Sequence, residues 1–215
     1  MVKITVFLGP SLPTDEAKKI LPDAEYLPPV KRGDATAAAA NGTEVMVIID
    51  GAFFQDESVG HKELLGVIKQ GITVYGSSSM GALRACELEP FGMIGVGTVF
   101  DWYKSEKIIA DDEVGLLYDP ETGMALSIPL VNIRATLTKA VASGIISPEE
   151  ERQIITSGKS IYYPDRTYRH ILKESGLPQD RYTAILSWLK TNTIDLKRED
   201  ALACLSLVRN TYAAE

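Results

Sequence analysis

Three consecutive serines stand where a predicted strand gives way to a predicted helix. Residues 72–75 read ITVY, a predicted buried strand, and the serines at 77–79 come directly before Met80 and Gly81. Residues 77–81, here called the serine turn, match G-x-S-x-G except that serine replaces the first glycine. The small residues of that motif permit a sharp turn. The turn lifts the hydroxyl of the motif's own serine, here Ser79, above the sheet edge. Ser79 is therefore a candidate nucleophile, and the N–H groups of Met80 and Gly81 at the helix start are candidate donors to an oxyanion.

The same residues are compatible with two other roles. Serines before a helix often only cap it, and small residues at such a turn often only let strand and helix pack. A helix N-terminus also binds phosphate groups. The serine turn lacks the G-K-[ST] ending of a P-loop and the spacing of G-x-G-x-x-G, so nucleotide binding is less favoured. From spacing alone, all three roles stay open.

A serine nucleophile needs a base, and the chain has two histidines. His170 would follow the chain order of a Ser-His-Asp hydrolase, but it lies in an ordinary amphipathic helix pattern. A lysine whose amine is removed from water is the other option. Lys62 opens the predicted helix after the strand that ends near Asp50, so it could reach the serine turn, and the helix dipole there disfavours its charge.

Short apolar runs alternate with amphipathic stretches over the first half of the chain. The runs predict strands and the stretches predict helices. The predicted strands are 4–8, 45–49 and 72–75, and the predicted helices are 15–21, 61–70, 81–88 and 99–104. Strands without polar alternation, separated by helices, are typical of a parallel sheet covered on both faces, with functional groups at the strand carboxyl ends.

From about Leu130 onward the pattern is almost wholly helical. Ser147-Pro148 is typical of an N-cap followed by a first-turn proline. We therefore expect an α/β protein with a mostly parallel sheet flanked by helices, and an all-helical C-terminal region. The predicted domains are residues 1–128 for the α/β core and 129–215 for the helical region.

Composition narrows the class of protein. The 215 residues are 45% hydrophobic and 24% charged, as in an ordinary globular protein. The net charge is −7 and no Lys/Arg block is present, so we expect no nucleic-acid partner. The chain has no run of ~20 apolar residues for a membrane helix. Its first residues read as a strand rather than a signal peptide, so we expect a cytoplasmic protein.

Two further groups of residues have competing interpretations. Cys86 and Cys204 lie in apolar helical stretches, where cysteine usually packs as a small hydrophobe. The acidic run 111–113 could meet a basic partner. It has no nearby histidine and no calcium-loop spacing, so we expect a solvated or capping role and no metal. Trp102-Tyr103 fits an interface or, more simply, core packing.

The stretch around the serine turn resembles the signature of TfuA-like proteins. Residues 76–88 read GSSSMGALRACEL, where the family often has G-A-A-S-M-G-A-L-R-A-A-E-L. Four other blocks are similar to the family's blocks: FLGPSL at 7–12, IIDGAF at 48–53, HKE at 61–63 and DDEV at 111–114. The resemblance spans roughly residues 3–118, and the helical tail has no matching motif. Ser77, Ser78 and Cys86 stand where the family commonly has alanine.

The resemblance implies a partner of YcaO-type enzymes in thioamidation, the replacement of a backbone amide oxygen by sulfur. It implies hydrolysis of a thiocarboxylated sulfur-carrier protein of the ThiS type, which releases sulfide, and help in engaging the peptide. ATP would act on the YcaO partner, and this chain would need no cofactor. The target would be a ribosomally made peptide or the glycine of methyl-coenzyme M reductase that becomes thioglycine. The implied Ser–Lys pair maps onto Ser79 and Lys62.

A glycine-rich carrier tail would need a narrow cleft lined by small residues. The candidates for that lining are Gly9, Gly51, Gly76 and Gly81. Charged residues in the matching blocks are candidates for binding or for an interface: His61, Glu63, Arg84, Asp111, Asp112 and Glu113. A scaffold that binds YcaO and peptide without chemistry of its own, and a nucleotide-binding module, remain the alternatives.

Overall fold

The computed structural model describes residues 2–53, 57–119 and 122–212. The chain divides into two compact units: the first joins residues 1–109 to 197–215, and the second is 110–196. This division differs from the predicted boundary between 128 and 129. The second unit begins at residue 110, before the acidic run, and residues 197–215 of the last helix belong to the first unit.

Five parallel strands form the sheet of the first unit, in the order β2-β1-β3-β4-β5. Their bounds are β1 Ile4–Phe7, β2 Glu25–Leu27, β3 Val45–Ile48, β4 Thr73–Ser77 and β5 Ile94–Val96. The predicted α/β class with a parallel sheet is confirmed. β2 and β5 were not predicted, because each has three residues and lies at a sheet edge with an exposed first residue.

Six helices of the described residues surround this sheet. They are α1 Thr14–Ile20, α2 Asp34–Ala40, α3 His61–Lys69, α4 Met80–Leu88, α5 Thr98–Lys104 and α10 Leu196–Tyr212. On one side of the sheet, Val6 and Val47 pack with Ala17 of α1 and with Cys204 and Leu205 of α10. The strands are apolar on both faces because helices cover both. α10 thus supplies part of the cover from the far end of the sequence.

The strand order creates a crevice at the carboxyl ends of β1 and β3. β1 connects to β2 on one side, whereas the chain continues from β3 to β4 and β5 on the other. In open α/β sheets, ligands bind where the order reverses in this way, because the loops leave the two strands in opposite directions. Residues 9–11 follow β1 at this point, and Asp50 follows β3.

Helices make up most of the second unit. A short 3₁₀ helix at Asp111–Glu113 precedes α6 Leu130–Ala142, α7 Pro148–Ser160, α8 Tyr168–Glu174 and α9 Gln179–Asn192. The predicted N-cap is confirmed: Ser147 forms a capping box with Glu150, and Pro148 opens α7. Ile133, Ile154 and Ile185 lie in the core between these helices. None of the helices in the described ranges is both long and apolar enough to cross a membrane.

Candidate active site at the serine turn

The serine turn joins β4 to α4 through two residues, Ser78 and Ser79. Ser78 has a φ of +65°, a left-handed conformation that is uncommon for a residue with a Cβ. Ser79 has φ −120° and ψ −123°, and its N–H donates to the Ser77 carbonyl at 2.7 Å. The backbone strain of this turn therefore lies at the residue before the predicted nucleophile.

Two of the three serine hydroxyls are bound to backbone carbonyls. Ser77 donates to the carbonyl of Val96 at 2.7 Å, with the Asp200 carbonyl at 3.1 Å. Ser78 donates to the carbonyl of Lys197 at 2.8 Å. These bonds fix the start of α10 against the turn, so Ser77 and Ser78 have structural roles.

The hydroxyl of Ser79 differs from its neighbours. Ser79 occupies the N-cap position of α4, yet its side chain accepts no capping hydrogen bond. No hydrogen bond of its Oγ is found within the described residues, where every buried side-chain nitrogen or oxygen has a partner. Because Ser79 is only 1% exposed, that small remaining surface must include Oγ. The capping role considered from sequence is therefore excluded for this side chain, and a role as nucleophile stays a prediction.

The backbone N–H groups in the first turn of α4 differ in whether they have a hydrogen-bond acceptor. Gly81 N–H donates to the Ile49 carbonyl at 3.3 Å, and the N–H groups of Ala82 and Leu83 turn back to the Ser79 carbonyl. Within the described part of the chain, Met80 N–H has no such acceptor. Of the two predicted oxyanion donors, only the Met80 N–H is therefore open in this structure, and the role of the Gly81 N–H stays a prediction.

The four glycines predicted to line a cleft lie at points of close packing. A Cβ on Gly81 would stand 1.7 Å from the Ile48 carbonyl oxygen, and one on Gly76 would stand 2.2 Å from the Gly81 oxygen. A Cβ on Gly51 would stand 2.8 Å from Met80 Cγ. On Gly9 it would stand 2.4 Å from Pro29 Cγ. Each glycine therefore has a packing reason that requires no substrate, and a lining role stays a prediction.

A buried carboxylate occupies the crevice between β1 and β3. Asp50 accepts from the N–H of Gly9 at 2.9 Å, from the N–H of Ser11 at 3.0 Å and from the Ser11 hydroxyl at 2.6 Å. The ammonium group of Lys197 lies 3.8 Å from Asp50 Oδ1, and both side chains are at most 3% exposed. Sequence analysis missed this group: Asp50 follows a buried strand at the right sheet edge, but Lys197 opens a helix in a charged stretch typical of solvent exposure.

A separate polar group joins the start of α3 to α4. His61 Nε2 lies 2.8 Å from Glu87, which also pairs with Arg84 at 2.6 Å. Arg84 further donates to the carbonyl of Val59 at 3.0 Å. Lys62 is exposed, and it makes no hydrogen bond or ion pair in the described ranges. The structure thus brings two of the predicted binding residues, His61 and Arg84, together, and it shows no contact between Lys62 and the serine turn.

Glu63 has a structural role within the first unit. Its carboxylate accepts from the N–H of Gly33 at 3.0 Å and from the N–H of Thr36 at 3.1 Å. These donors are at the N-terminus of α2, where a carboxylate is stabilised by the helix dipole. Its predicted role in binding has no support from this geometry.

The predicted acidic run belongs to the second unit. Glu113 is 1% exposed and accepts two hydrogen bonds of 2.8 Å from Arg134, with Lys159 at 3.9 Å. Asp112 pairs with the buried Arg166, while Asp111 is exposed. Two of the three carboxylates are therefore paired inside their own unit, contrary to the expectation of a solvated patch.

Asp200 and the two cysteines, all in the first unit, have raised pKa values. Asp200 accepts from Thr98 N–H at 2.9 Å and Val99 N–H at 2.7 Å, so it caps α5, and burial raises its pKa to about 6. Burial raises the pKa of Cys204 to about 12 and also raises that of Cys86. Neither thiol is poised as a thiolate. Over the described residues, no cluster of three or more His, Cys, Asp or Glu side chains could hold a metal.

The family profile described as TfuA-like protein matches residues 50–167, more than half of the chain. The chain belongs to the TfuA-like family. The match starts at Asp50 and contains both the serine turn and the acidic run 111–113. It continues beyond residues 111–114, the last block in which the sequence resembles the family. It thus covers parts of both units, whereas β1 and α10 lie outside it. A search of curated proteins gave no match.

Proposed function

We propose that this TfuA-like protein hydrolyses the thiocarboxylate of a small ThiS-type sulfur-carrier protein and delivers the sulfide to a YcaO-type enzyme for thioamidation. Family membership supports the setting. One observation carries the chemistry: of the three hydroxyls in the serine turn, only that of Ser79 has no hydrogen-bond partner, and it stands beside the open N–H of Met80.

The proposed reaction has two steps whose atoms and charges balance. Ser79 Oγ attacks the carbonyl carbon of the carrier's C-terminal thiocarboxylate, a base takes the Oγ–H proton and passes it to the sulfur, and the C–S bond breaks to release hydrosulfide. The product is an ester between the carrier and Ser79. Water then attacks the ester, the C–Oγ bond breaks, and the carrier leaves as a carboxylate with one proton released to solvent. The net change consumes one water and needs no oxidant or reductant.

The start of α4 suits the charge that develops in both steps. Attack on the carbonyl carbon places negative charge on its oxygen, and preorganised N–H donors stabilise such charge in the transition state. Met80 N–H is the donor available, and the positive end of the dipole of this nine-residue helix adds to it. The thiocarboxylate is itself an anion, so the same helix end favours binding of the substrate.

The partners follow from the same proposal. A ThiS-type carrier supplies the sulfur, a YcaO-type enzyme activates the amide with ATP, and a peptide or protein receives the sulfur. This chain would carry no cofactor of its own. Lys62 stays the base predicted from the resemblance, although a lysine acts as a base only when water is kept from its amine, and Lys62 is exposed.

The test is sulfide release from thiocarboxylated carrier by wild type and by Ser79→Ala. We expect Ser79→Ala to fold and to bind the carrier, but to lose release by on the order of 10³-fold or more, as when a hydrolase nucleophile is removed. The matched control is Ser105→Ala, which removes a serine hydroxyl that donates to the Asp101 and Trp102 carbonyls of the helix before it. The assay is run with and without the YcaO partner present.

Equal release by wild type and Ser79→Ala would remove Ser79 from the mechanism. Absence of release by wild type, even with YcaO bound, would favour the scaffold alternative. In that case thioamidation would fall only through lost affinity, and a pull-down would show weaker complex formation in step with lower turnover.

A further inference from the structure

An arginine of α4 holds the segment before α3 against the start of α4. Arg84 lies one helical turn after Met80, and its side chain is only 12% exposed. Its Nε donates to the carbonyl of Val59 at 3.0 Å, and its Nη2 donates to the hydroxyl of Ser58 at 3.1 Å. Because a guanidinium group presents its donors in a rigid plane, these two bonds fix residues 58 and 59 in one orientation.

A carboxylate balances the charge of this arginine. Glu87 accepts from Arg84 Nη1 at 2.6 Å, and it also lies 2.8 Å from His61 Nε2 at the start of α3. A charged group that is turned away from water needs an opposite charge nearby. Glu87 therefore allows Arg84 to point toward residues 58 and 59 rather than into solvent.

The segment that Arg84 holds packs on Met80. The hydroxyl of Ser58 lies 4.0 Å from Met80 Sδ, and Val59 has no exposed surface. Earlier in the same connection between β3 and α3, a Cβ on Gly51 would stand 2.8 Å from Met80 Cγ. The Met80 side chain is thus in contact with this connection at two points, and the residue is 2% exposed. Its N–H is the open donor of the serine turn in the part of the chain that the structure describes.

From these contacts we propose that Arg84 is a positioning residue for the proposed reaction. Through residues 58 and 59 it fixes the side chain of Met80. It thereby holds the Met80 N–H toward the oxyanion that forms when Ser79 attacks. This inference rests on the proposed function, and it gives Arg84 a role other than the carrier or interface contact predicted from the sequence.

The experiment measures kcat and KM for sulfide release from thiocarboxylated carrier. A donor to the oxyanion acts in the transition state, so displacing it lowers kcat more than it changes KM. Removing such a donor outright costs about 10²–10³-fold, and Arg84→Ala only loosens it, so we expect kcat to fall by about 10–100-fold. Millimolar guanidinium chloride should restore most of that loss by occupying the space of the missing group. Urea, which is also planar but uncharged, should restore less.

The matched control is Arg152→Ala. Arg152 pairs with a glutamate three residues away, as Arg84 does, but its side chain is 70% exposed. We expect kcat and KM of this variant to equal those of wild type, with and without guanidinium.

A second measurement follows Met80 in the absence of carrier and YcaO. The chain has five methionines, whose isotope-labelled methyl groups give separate NMR signals, and Met80→Leu identifies the signal of Met80. We expect that signal to shift in Arg84→Ala and to return toward its wild-type position with guanidinium. The signal of Met124, which belongs to the second unit, should stay unchanged.

A milder variant keeps the test valid if Arg84→Ala does not fold. Ser58→Ala removes one acceptor of Arg84 together with the hydroxyl contact to Met80. It should shift the same NMR signal and lower kcat by about 2–10-fold, the effect of losing one hydrogen bond.

Several outcomes would overturn the inference and leave the proposed function standing, provided that Ser79→Ala loses sulfide release. One is a folded Arg84→Ala with the wild-type kcat or an unchanged Met80 signal. Another is a raised KM with unchanged kcat, which would mean that Arg84 binds the carrier itself. If wild type releases no sulfide, with or without YcaO, the proposed function fails and the positioning role fails with it.

Discussion

Two polar clusters in this protein differ in how completely their side chains are hydrogen-bonded. In the second unit, Glu113 is held by two hydrogen bonds from Arg134, and the buried Arg166 is bound to Asp112 and to the carbonyls of Gly158 and Ile161. In the serine turn, Ser77 and Ser78 are bound to carbonyls in the same complete way, whereas the Ser79 hydroxyl is not.

The comparison shows what distinguishes a structural cluster from a reactive one. Burying a polar group without a partner costs free energy, so folded proteins nearly always provide one. The cluster of the second unit follows that rule at every side chain described. In the serine turn, the Ser79 hydroxyl instead keeps a small exposed surface and has no protein partner, next to a strained residue and an open backbone N–H. Such local departures are where function is expected.

The largest expected effect tests how tightly the serine turn is built. Gly81→Ala should destabilise the protein by about 4 kcal/mol or more, because the new Cβ would stand 1.7 Å from the Ile48 carbonyl oxygen and the strand or α4 must shift. Denaturant unfolding followed by circular dichroism measures the change. The control is Gly66→Ala in α3, which meets nothing within 4 Å and should be stabilising by about 0.5–1 kcal/mol. Equal stability of the two variants would show that α4 can move away without cost.

The next effect tests whether the cluster of the second unit is purely structural. Arg134→Met removes the main partner of a carboxylate that is 1% exposed, and we expect a loss of about 3–5 kcal/mol in the free energy of unfolding. Sulfide release from thiocarboxylated carrier by the folded variant should stay at the wild-type rate. Arg152→Met breaks an exposed pair with Glu149 and should cost less than about 1 kcal/mol. Slower sulfide release by Arg134→Met would mean that the two clusters are coupled, and the contrast between them would fail.

Sequence reasoning recovered what is encoded locally. The apolar runs of β1, β3 and β4 gave the parallel sheet, and Ser147-Pro148 gave the start of α7. The motif placed Ser79 at the strand-to-helix turn. Each of these depends on a few neighbouring residues, so a pattern in the sequence is enough to predict it.

What it missed depends on contacts between distant residues. Nothing near Lys197 in the chain shows that it lies against Ser78 and Asp50, which are more than 100 residues earlier. The return of α10 to the sheet, and hence the division of the chain into units, has the same cause. The hydrogen bond from the Gly81 N–H to the Ile49 carbonyl, directly after β3, is likewise invisible in the serine-turn motif.

A smaller effect, which depends on pH, tests the one carboxylate near the serine turn that has a raised pKa. Burial raises the pKa of Asp200 to about 6, above its unfolded value of 3.8, so the folded state favours the protonated acid. The stabilisation from protonation is fully present below about pH 4 and is lost as the pH rises through about 6. We expect wild type to lose about 2–3 kcal/mol relative to Asp200→Asn between pH 4 and pH 7, measured by urea unfolding at each pH. A difference that is constant with pH would show that Asp200 is ionised throughout.

The smallest expected effect separates the free-energy cost of the strained backbone at Ser78 from that of losing its side-chain hydrogen bond. Ser78→Ala and Ser78→Gly both lose the bond to the Lys197 carbonyl, but only glycine adopts a φ of +65° without steric cost. Part of that gain is offset because glycine is more flexible in the unfolded chain, so we expect Ser78→Gly to be the more stable of the two by roughly 0.5–1 kcal/mol. In the second unit, Gly144 has a φ of +68° with open space around it, and Gly144→Ala should be destabilising by about 1 kcal/mol for the same reason. Suppose that Ser78→Ala proved as stable as Ser78→Gly, while Gly144→Ala lowered the free energy of unfolding as expected. The serine turn would then store no strain, and only the Ser79 hydroxyl would distinguish it from the cluster of the second unit.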